Sequence, residues 1–472
     1  MKGENVMKPM LSLMLAALLA MSGCSASREA AASRLAIGAG GGPAPAVLTR
    51  TLAEPVYPEF PKQPDMPETG GQEAWEAYDE AYGKYMDALM AIRGTDAPNL
   101  TQEEREALTA FAARSTTLVL AGYEGENTVY SPLSLWSALA MLAQCAEGDS
   151  RRQVLDAVGT DSVDSLQEAV SRIWRVLYTD DGRSSLLLAN SIWLNDAFQG
   201  AYVQDTLDAL AGQYYAGAYS VPMGTGEADQ AVTDWVKRQT NGLIGGGQPV
   251  VRTKEETLAL LASSLYYRAA WTDEFAAAMT EQDIFTDPSG RESRVDFMHK
   301  GERGSFLRRE GYQAASLNTH LGEIVFVLPD EGVSPEALLQ DPDFLAKLDV
   351  CGADSRRGEV QWSVPKFDAD SDLDLMEALK SLGITDLLDR NKADLSALTD
   401  LNAFVSEARQ LARVKVDEEG VEAAAVTMIM ANTECAPSEL NPEVCIMDLD
   451  RPFLFVIRTQ GVPLFVGVVN KV

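Results

Sequence analysis

Histidine is almost missing from this chain of 472 residues: His299 and His320 are the only two. A histidine-rich metal centre is thereby excluded, and any histidine base must be one of that pair. Cysteine is scarce as well, five in all, at spacings that form no zinc pattern. Basic residues are outnumbered, 39 Lys and Arg against 70 Asp and Glu, for a formal net charge of -31. A surface this acidic is repelled by phosphate backbones and anionic membrane surfaces, so nucleic acid is excluded as a partner. No periodic repeat is evident. What the chain does have is a hydrophobic fraction of 46%, enough at this length for a large core in one to three domains.

Residues 1–23 carry the pattern of an export signal. Lys2 and Lys8 supply positive charge, Met10 to Met21 form an apolar run short for a bilayer span, and Ser22-Gly23-Cys24 closes it. That ending resembles the lipobox of bacterial lipoproteins, which implies cleavage before Cys24 and a lipid on its sulfur; an ordinary cleaved signal or a short anchor is the alternative. Membrane contact would then run through the lipid anchor, and the protein would be exported, at the cell surface or extracellular. Residues 24–71 are rich in Ala, Gly and Pro, a composition that predicts a tether because it buries too little apolar area to offset its ordering entropy. Residues 72–99 predict an extra helix and linker, and the folded body is expected over 100–472. In an oxidising exterior, Cys435 and Cys445 lie close enough in sequence for a local disulfide, whereas Cys145 sits in an apolar helix and is expected simply to be buried.

The stretch Val414 to Thr433 organises the rest. Val414, Lys415, Val416 and Asp417 alternate apolar and polar like a half-buried strand at a sheet edge. Gly420 can then turn the chain sharply. Val421, Glu422, Ala423, Ala424, Ala425, Val426 and Thr427 follow, with no proline before Pro437. Small side chains and intact N–H groups let such a segment enter a sheet, with Val421, Ala423, Ala425, Thr427, Ile429 and Ala431 on one face and Glu422 on the other. The same Ala-rich run is also a good helix by propensity, so its surroundings must decide.

Those surroundings resemble the serpin family. The hinge Glu418-Glu419-Gly420-Val421-Glu422-Ala423-Ala424-Ala425 and the C-terminal Arg451 to Arg458 and Leu464 to Gly467 read like that family's reactive-loop hinge and C-terminus. Asn127 to Ser134, which physically reads as a buried strand, a Ser-Pro turn and a capped helix start, is similar to the family signature. Ala189, Asn190 and Trp193, the run Leu258 to Trp271, Pro365-Lys366-Phe367 and Leu382-Gly383-Ile384 follow in family order. The resemblance implies an α+β fold: a serpin with a large mixed central sheet, two smaller sheets, a helical layer and an exposed reactive loop at about 418–447.

The resemblance further implies function without an active site of its own. A target protease cuts the loop and forms an acyl-enzyme; the hinge inserts into the central sheet and the protease is trapped. The family's register puts the scissile bond at Glu434-Cys435, suiting a glutamyl-specific protease; Thr433-Glu434, or Met430-Ala431 for subtilisin-like or papain-like enzymes, are the alternatives if the register slips. Ser131, Ser134, Ser263, Gln410 and Trp271 fall in the shutter and breach, where the sheet is held shut and first opens. Ser263 and Gln410 stand where the family usually has Asn and His. Serine-type and cysteine endopeptidases are the expected partners, and a monomer is expected.

Catalysis is not expected, because Ser-Pro before a helix lacks the glycines of a nucleophile elbow and no constellation converges on the histidines. Neither cofactor nor metal is called for. A non-inhibitory serpin acting as a surface binding module would share every core motif; a hinge free of proline and large charged residues favours the inhibitor. An adhesin whose loop only binds is the third reading, separable by whether cleavage raises thermal stability.

Overall fold

The computed structural model describes residues 16–23, 49–64, 66–67, 71–94, 98–181, 184–198, 201–421 and 443–472. In chain order the first half holds β1 (Ala16–Gly23), β2 (Arg50–Ala53), α1 (Gln72–Arg93), α2 (Gln102–Leu120), β3 (Thr128–Tyr130) and α3 (Pro132–Cys145). Next come α4 (Gly148–Val158), α5 (Val163–Leu177), β4 (Thr179–Asp180), β5 (Ser185–Asn195), α6 (Gln204–Gln213), β6 (Ala216–Val221) and α7 (Gly226–Gln239). The second half is mostly strand: β7 (Thr257–Ala270), β8 (Thr280–Thr286), β9 (Glu292–Arg309), β10 (Tyr312–Thr319), β11 (Gly322–Pro329), β12 (Arg356–Pro365) and β13 (Phe367–Asp374). It closes with β14 (Ala403–Val416), β15 (Gly420–Val421), β16 (Glu443–Asp448), β17 (Phe453–Thr459) and β18 (Val462–Val469).

Among the described residues these strands form two nine-stranded sheets, so the fold is the mixed α+β type that the sequence implies. The central sheet runs β1-β14-β15-β7-β5-β6-β2, with β13 beside β14 and β4 beside β5. Pairing is antiparallel except between β5 and β6. The two smaller sheets run into one another through the 18-residue β9, which pairs with β8, β10 and β12. Between the sheets lies α3, buried along nearly its whole length and packed against β7 and β18. Its apolar circumference explains this, since a helix without a polar face has no side to turn to water.

Three expectations need correcting. Val414–Val416 do not lie at a sheet edge: they end the 14-residue interior strand β14, flanked by β13 on one side and by β1 and β15 on the other. Val414 and Val416 still alternate with exposed Lys415, because only one face of this part of the sheet meets the core. The loop is shorter than 418–447 at both ends, since β15 pairs Gly420 and Val421, and β16 takes up Glu443–Asp448 in parallel with β12. The stretch 24–71 is not all tether either. Arg50–Ala53 pair with β6, and Tyr57 stacks on Trp174 with centroids 5.2 Å apart while Phe60 lies against Tyr178 at 5.1 Å. Averaged composition hid these aromatics, whose area suffices to order the strap that carries them.

Candidate functional site

The central sheet holds a slot between β7 and β14. The two strands point the same way, because each is antiparallel to the segments lying between them. At the top of the slot sits β15: Gly420 pairs with Ala270, and Val421 pairs with both Ala269 and Val416. Val421 is the first residue of the small-residue run, and it is already seated in the sheet and buried. Lower down β1 fills the slot, its Ala17 paired with both Gln410 and Ser263. Carrying the β15 register onward would set 422–425 opposite 268–265 of β7 and 415–412 of β14, and no described strand occupies those rungs. A narrow cleft lies there, lined by Leu265, Tyr267, Val414 and Val421 from the sheet and by Ile457 and Phe465 beyond it.

The turn feeding the slot is clamped from several directions. Trp271 donates its backbone N–H to Glu419 O at 3.1 Å and its indole Nε1–H to Asp417 O at 2.9 Å. Phe275 N donates to Glu418 O at 3.2 Å, and the Phe275 ring stands edge-on to Trp271. Thr280 Oγ1 donates to Glu418 Oε1 at 2.9 Å, while Lys366 Nζ lies 2.7 Å from Glu418 Oε2. Burial raises the Glu418 carboxyl, but Lys366 and Thr280 outweigh it and hold that carboxyl below the usual carboxylate range. The same contact holds the Lys366 ammonium above its ordinary value. The pair therefore stabilises the clamp above the ordinary Glu range, loses that contribution as pH falls through the depressed Glu418 value, and loses it again as pH rises through that of Lys366. With Lys366 more than a third exposed, screening limits the effect to about 1 kcal/mol. Glu418→Gln is expected to remove about that much of the stability lost between neutral and acid pH, measured by chemical denaturation.

Gly420 makes the clamp possible. Its φ is +153°, and a Cβ placed on it would lie 2.4 Å from Ala269 O. A side chain here needs both a strained backbone and a shifted β7, together costing about 3 kcal/mol or more. Gly420→Val is expected to free β15 from β7, read as faster amide exchange at Ala269 and Ala270 and a lower melting temperature.

At the middle of the slot lies a buried polar knot. Ser131 N donates to Gln410 Oε1 at 2.7 Å, and Gln410 Nε2 donates back to Ser131 O at 2.9 Å. Ser131 Oγ donates to Ser134 Oγ at 3.2 Å and accepts the Ser134 N–H at 3.3 Å, capping α3 under its Pro132 start. Gln410 and Ser131 are fully buried, and Ser263 shares with Ser134 the lining of a small cavity between β7 and α3. Gln410→Ala would strand the Ser131 N–H and C=O, costing about 2–4 kcal/mol. Gln410→His is expected to add a pH dependence that glutamine lacks: buried imidazole resists protonation, so stability should fall as pH drops below about 6.5. Chemical denaturation at pH 5.5 and 8 measures both variants.

Of the expected hinge, Glu418, Glu419, Gly420 and Val421 are brought together with Trp271; Glu422, Ala423, Ala424 and Ala425 lie outside the described residues, as do Glu434, Cys435 and Cys24. The other half of the suggested disulfide, Cys445, is buried in β16 with Sγ 3.8 Å from Gln313 Oε1, its thiol pushed up to about 11 by burial. Cys145 is fully buried in α3, and burial pushes its thiol up to about 12. Sequence reasoning missed the partners that hold the turn, Lys366, Thr280 and Phe275. Only Lys366 stood in a noticed motif, and nothing local ties it to Glu418. Among the described residues no group of three or more His, Cys, Asp or Glu could hold a metal ion, and no helix is long and apolar enough to cross a membrane.

Comparison with known proteins gives one answer. A family profile described as "Serpin (serine protease inhibitor)" matches residues 106–472. The chain is 31% identical over 389 residues to Serpin-ZXA of Oryza sativa subsp. japonica, covering 77% of this chain and 95% of the relative. It is 28% identical over 405 residues to plasminogen activator inhibitor 1 of Neovison vison, covering 81% and 97%. The crystal structure of the thermophilic serpin tengpin in its native state superposes with a TM-score of 0.69 at 26% identity, covering 79% of this chain and 95% of that one.

Proposed function

Because the chain belongs to the serpin family, whose members are typically protease inhibitors rather than catalysts, we propose that it is a suicide-substrate inhibitor of endopeptidases. The observation that carries this reading is Val421, seated between β14 and β7 at the mouth of an open cleft whose lining is apolar on the core side. A strand advancing from Val421 would present Ala423 and Ala425 to that lining, and small side chains are what it has room for. Glu422 would fall between Arg268 of β7 and Lys415 of β14 on the same rung, and Arg268 Nε is buried without a hydrogen-bond partner among the described residues. Insertion would thus bring a carboxylate beside Arg268, and beside Lys415, which is already paired with Asp417 at 3.2 Å, a gain made only in the inserted state.

The reading extends to target and location. Cleavage at Glu434-Cys435 would direct the inhibitor at a serine protease with a basic specificity pocket, and the Cys24 lipobox would hold it at the outer cell surface. Incubation with a panel of glutamyl-specific, subtilisin-like and papain-like proteases tests the first claim: an SDS-stable complex is expected with one of them, and mass spectrometry of the released C-terminal peptide gives the bond. Metabolic labelling with a fatty acid tests the second, and loss of the label in Cys24→Ser is expected. Cleavage by every protease without any stable complex would leave the chain a binding module.

A further inference from the structure

The first helix carries a seam that the body of the protein covers at one end. Helix α1, Gln72–Arg93, precedes the family-matched residues 106–472 and is about 33 Å long. Trp75, Tyr78, Tyr82, Tyr85, Leu89 and Ile92 follow one another at steps of three and four, the a and d positions of a seven-residue repeat. Ala74, Ala81 and Ala88 line one flank of that seam at every g position, so a second helix can approach closely there. At its C-terminal end the seam is in use: Leu89 is buried where α1 meets α5, and Arg93 Nη2 donates to Thr179 Oγ1 of β4 at 3.4 Å. Toward the N-terminus it is open. Trp75 is 43% and Tyr82 38% exposed, and the rings stand in a row, with centroids 6.1 Å apart for Trp75 and Tyr78 and 5.8 Å for Tyr78 and Tyr82. Ring pairs of this kind steady a helix by about 0.5 kcal/mol or less each, too little to account for two large rings held in water at heptad spacing.

We propose that the open part of this seam, Trp75 to Tyr85, is a docking face for a basic amphipathic helix of another protein. Charge selects the partner. Residues 72–85 hold Glu73, Glu76, Asp79 and Glu80 against one cation, Lys84, which is engaged by Glu80 at 2.7 Å. Glu76 accepts from the neutral Gln72 at 2.9 Å, and none of Glu73, Glu76 and Asp79 is in an ion pair among the described residues. A second copy of this chain would set the same four acids against one another, with a net charge of -31 on each molecule opposing the approach. A helix with aliphatic residues at a and d and Lys or Arg beside them meets both demands: its apolar edge covers the rings, and its cations reach the carboxylates and the exposed Trp75 and Tyr82. Surface ion pairs are worth about 1 kcal/mol or less each, so the rings supply most of the affinity and the acids the choice of partner. Because α1 lies outside residues 106–472, this face acts independently of the reactive loop and of the inhibitor reading.

The probe is a synthetic helix of about three heptads, with Leu at a and d and Lys elsewhere. Labelled with a fluorophore, it is titrated with the full chain and followed by anisotropy at physiological salt, where charges farther apart than about 8 Å are screened. Saturable binding is expected, weakened about tenfold or more in Trp75→Ala/Tyr82→Ala. Glu76→Lys/Asp79→Lys keeps the rings and introduces good helix formers, and it too is expected to weaken binding about tenfold. Unchanged affinity in either variant overturns the proposal. A peptide of the same composition in scrambled order keeps the charge and loses the seam; equal binding by it reduces the effect to bulk attraction and overturns the proposal as well. Equal binding by a peptide with Glu in place of every Lys overturns the basic partner. A full chain that dimerises in sedimentation, with the dimer lost in Trp75→Ala/Tyr82→Ala, would show the face covered by a second copy and overturn it likewise.

Discussion

Replacing Ala423 with arginine is expected to abolish covalent trapping while leaving the loop cleavable. Position 423 would oppose Tyr267 and Val414 and share the face of Val421, which looks into the cleft bounded by Leu265, Ile457 and Phe465. A guanidinium has no anion to meet in that lining, so insertion would bury an unpaired charge at a cost of several kcal/mol. The acyl-enzyme does not wait, and deacylation would win whenever insertion is slowed. On a denaturing gel the unaltered mature chain should give a high-mass complex, and Ala423→Arg only the cleaved form. Glu422→Gln is the control: it lies on the opposite face beside Arg268 and Lys415, loses one favourable contact but no packing, and should retain most of the complex. An Ala423→Arg variant that traps as well as its parent would contradict the insertion mechanism.

Cutting the loop in the chain that begins at Cys24 is expected to raise the melting temperature by about 10 °C or more. Before cleavage the chain is tied on either side of 422–442, to β15 and to β16. Once severed it would be free to pair with β7 and β14 on both sides and to set Ala423 and Ala425 against the apolar lining of the cleft, gaining ladder bonds and apolar burial together. A protease too slow or too small to be held can be used to make the cleaved form, and calorimetry compares it with the intact one. An adhesin loop would show no such rise, because removing a covalent tie from a surface loop normally lowers stability or leaves it alone. An unchanged melting temperature would therefore remove the metastability on which trapping depends.

Much of the site could be read from single residues. The Ser131 cap on α3 followed from Ser-Pro before an apolar helix, and β7 from an apolar run long enough to be covered on both faces. Gly420 was identifiable as a turn residue because only glycine takes φ near +153° without strain. Gln410 was noticed as a departure at one network, and its two bonds to Ser131 give that departure a physical meaning: it donates and accepts where a histidine would also titrate. Less legible were contacts between residues far apart. Glu418 meets Lys366 and Thr280 across 52 and 138 positions, and neither partner carries a local mark of it. The strap at Tyr57 and Phe60 escaped for a different reason, since composition averages over a stretch in which two rings do the packing.

By itself the amino-acid sequence determined the kind of strand two segments can be: β14 by alternation and β7 by continuous apolarity. It also determined the acidic surface and the near absence of histidine, which depend on no fold at all. Which segment occupies the place between β7 and β14 was decided only by tertiary structure. Residues 16–23 and 426–433 are both uncharged eight-residue stretches, and of the two only 16–23 lies among the described residues, paired with β7 and β14. Local preference cannot choose between equals; the choice depends on which of them the chain's ties allow to reach the slot.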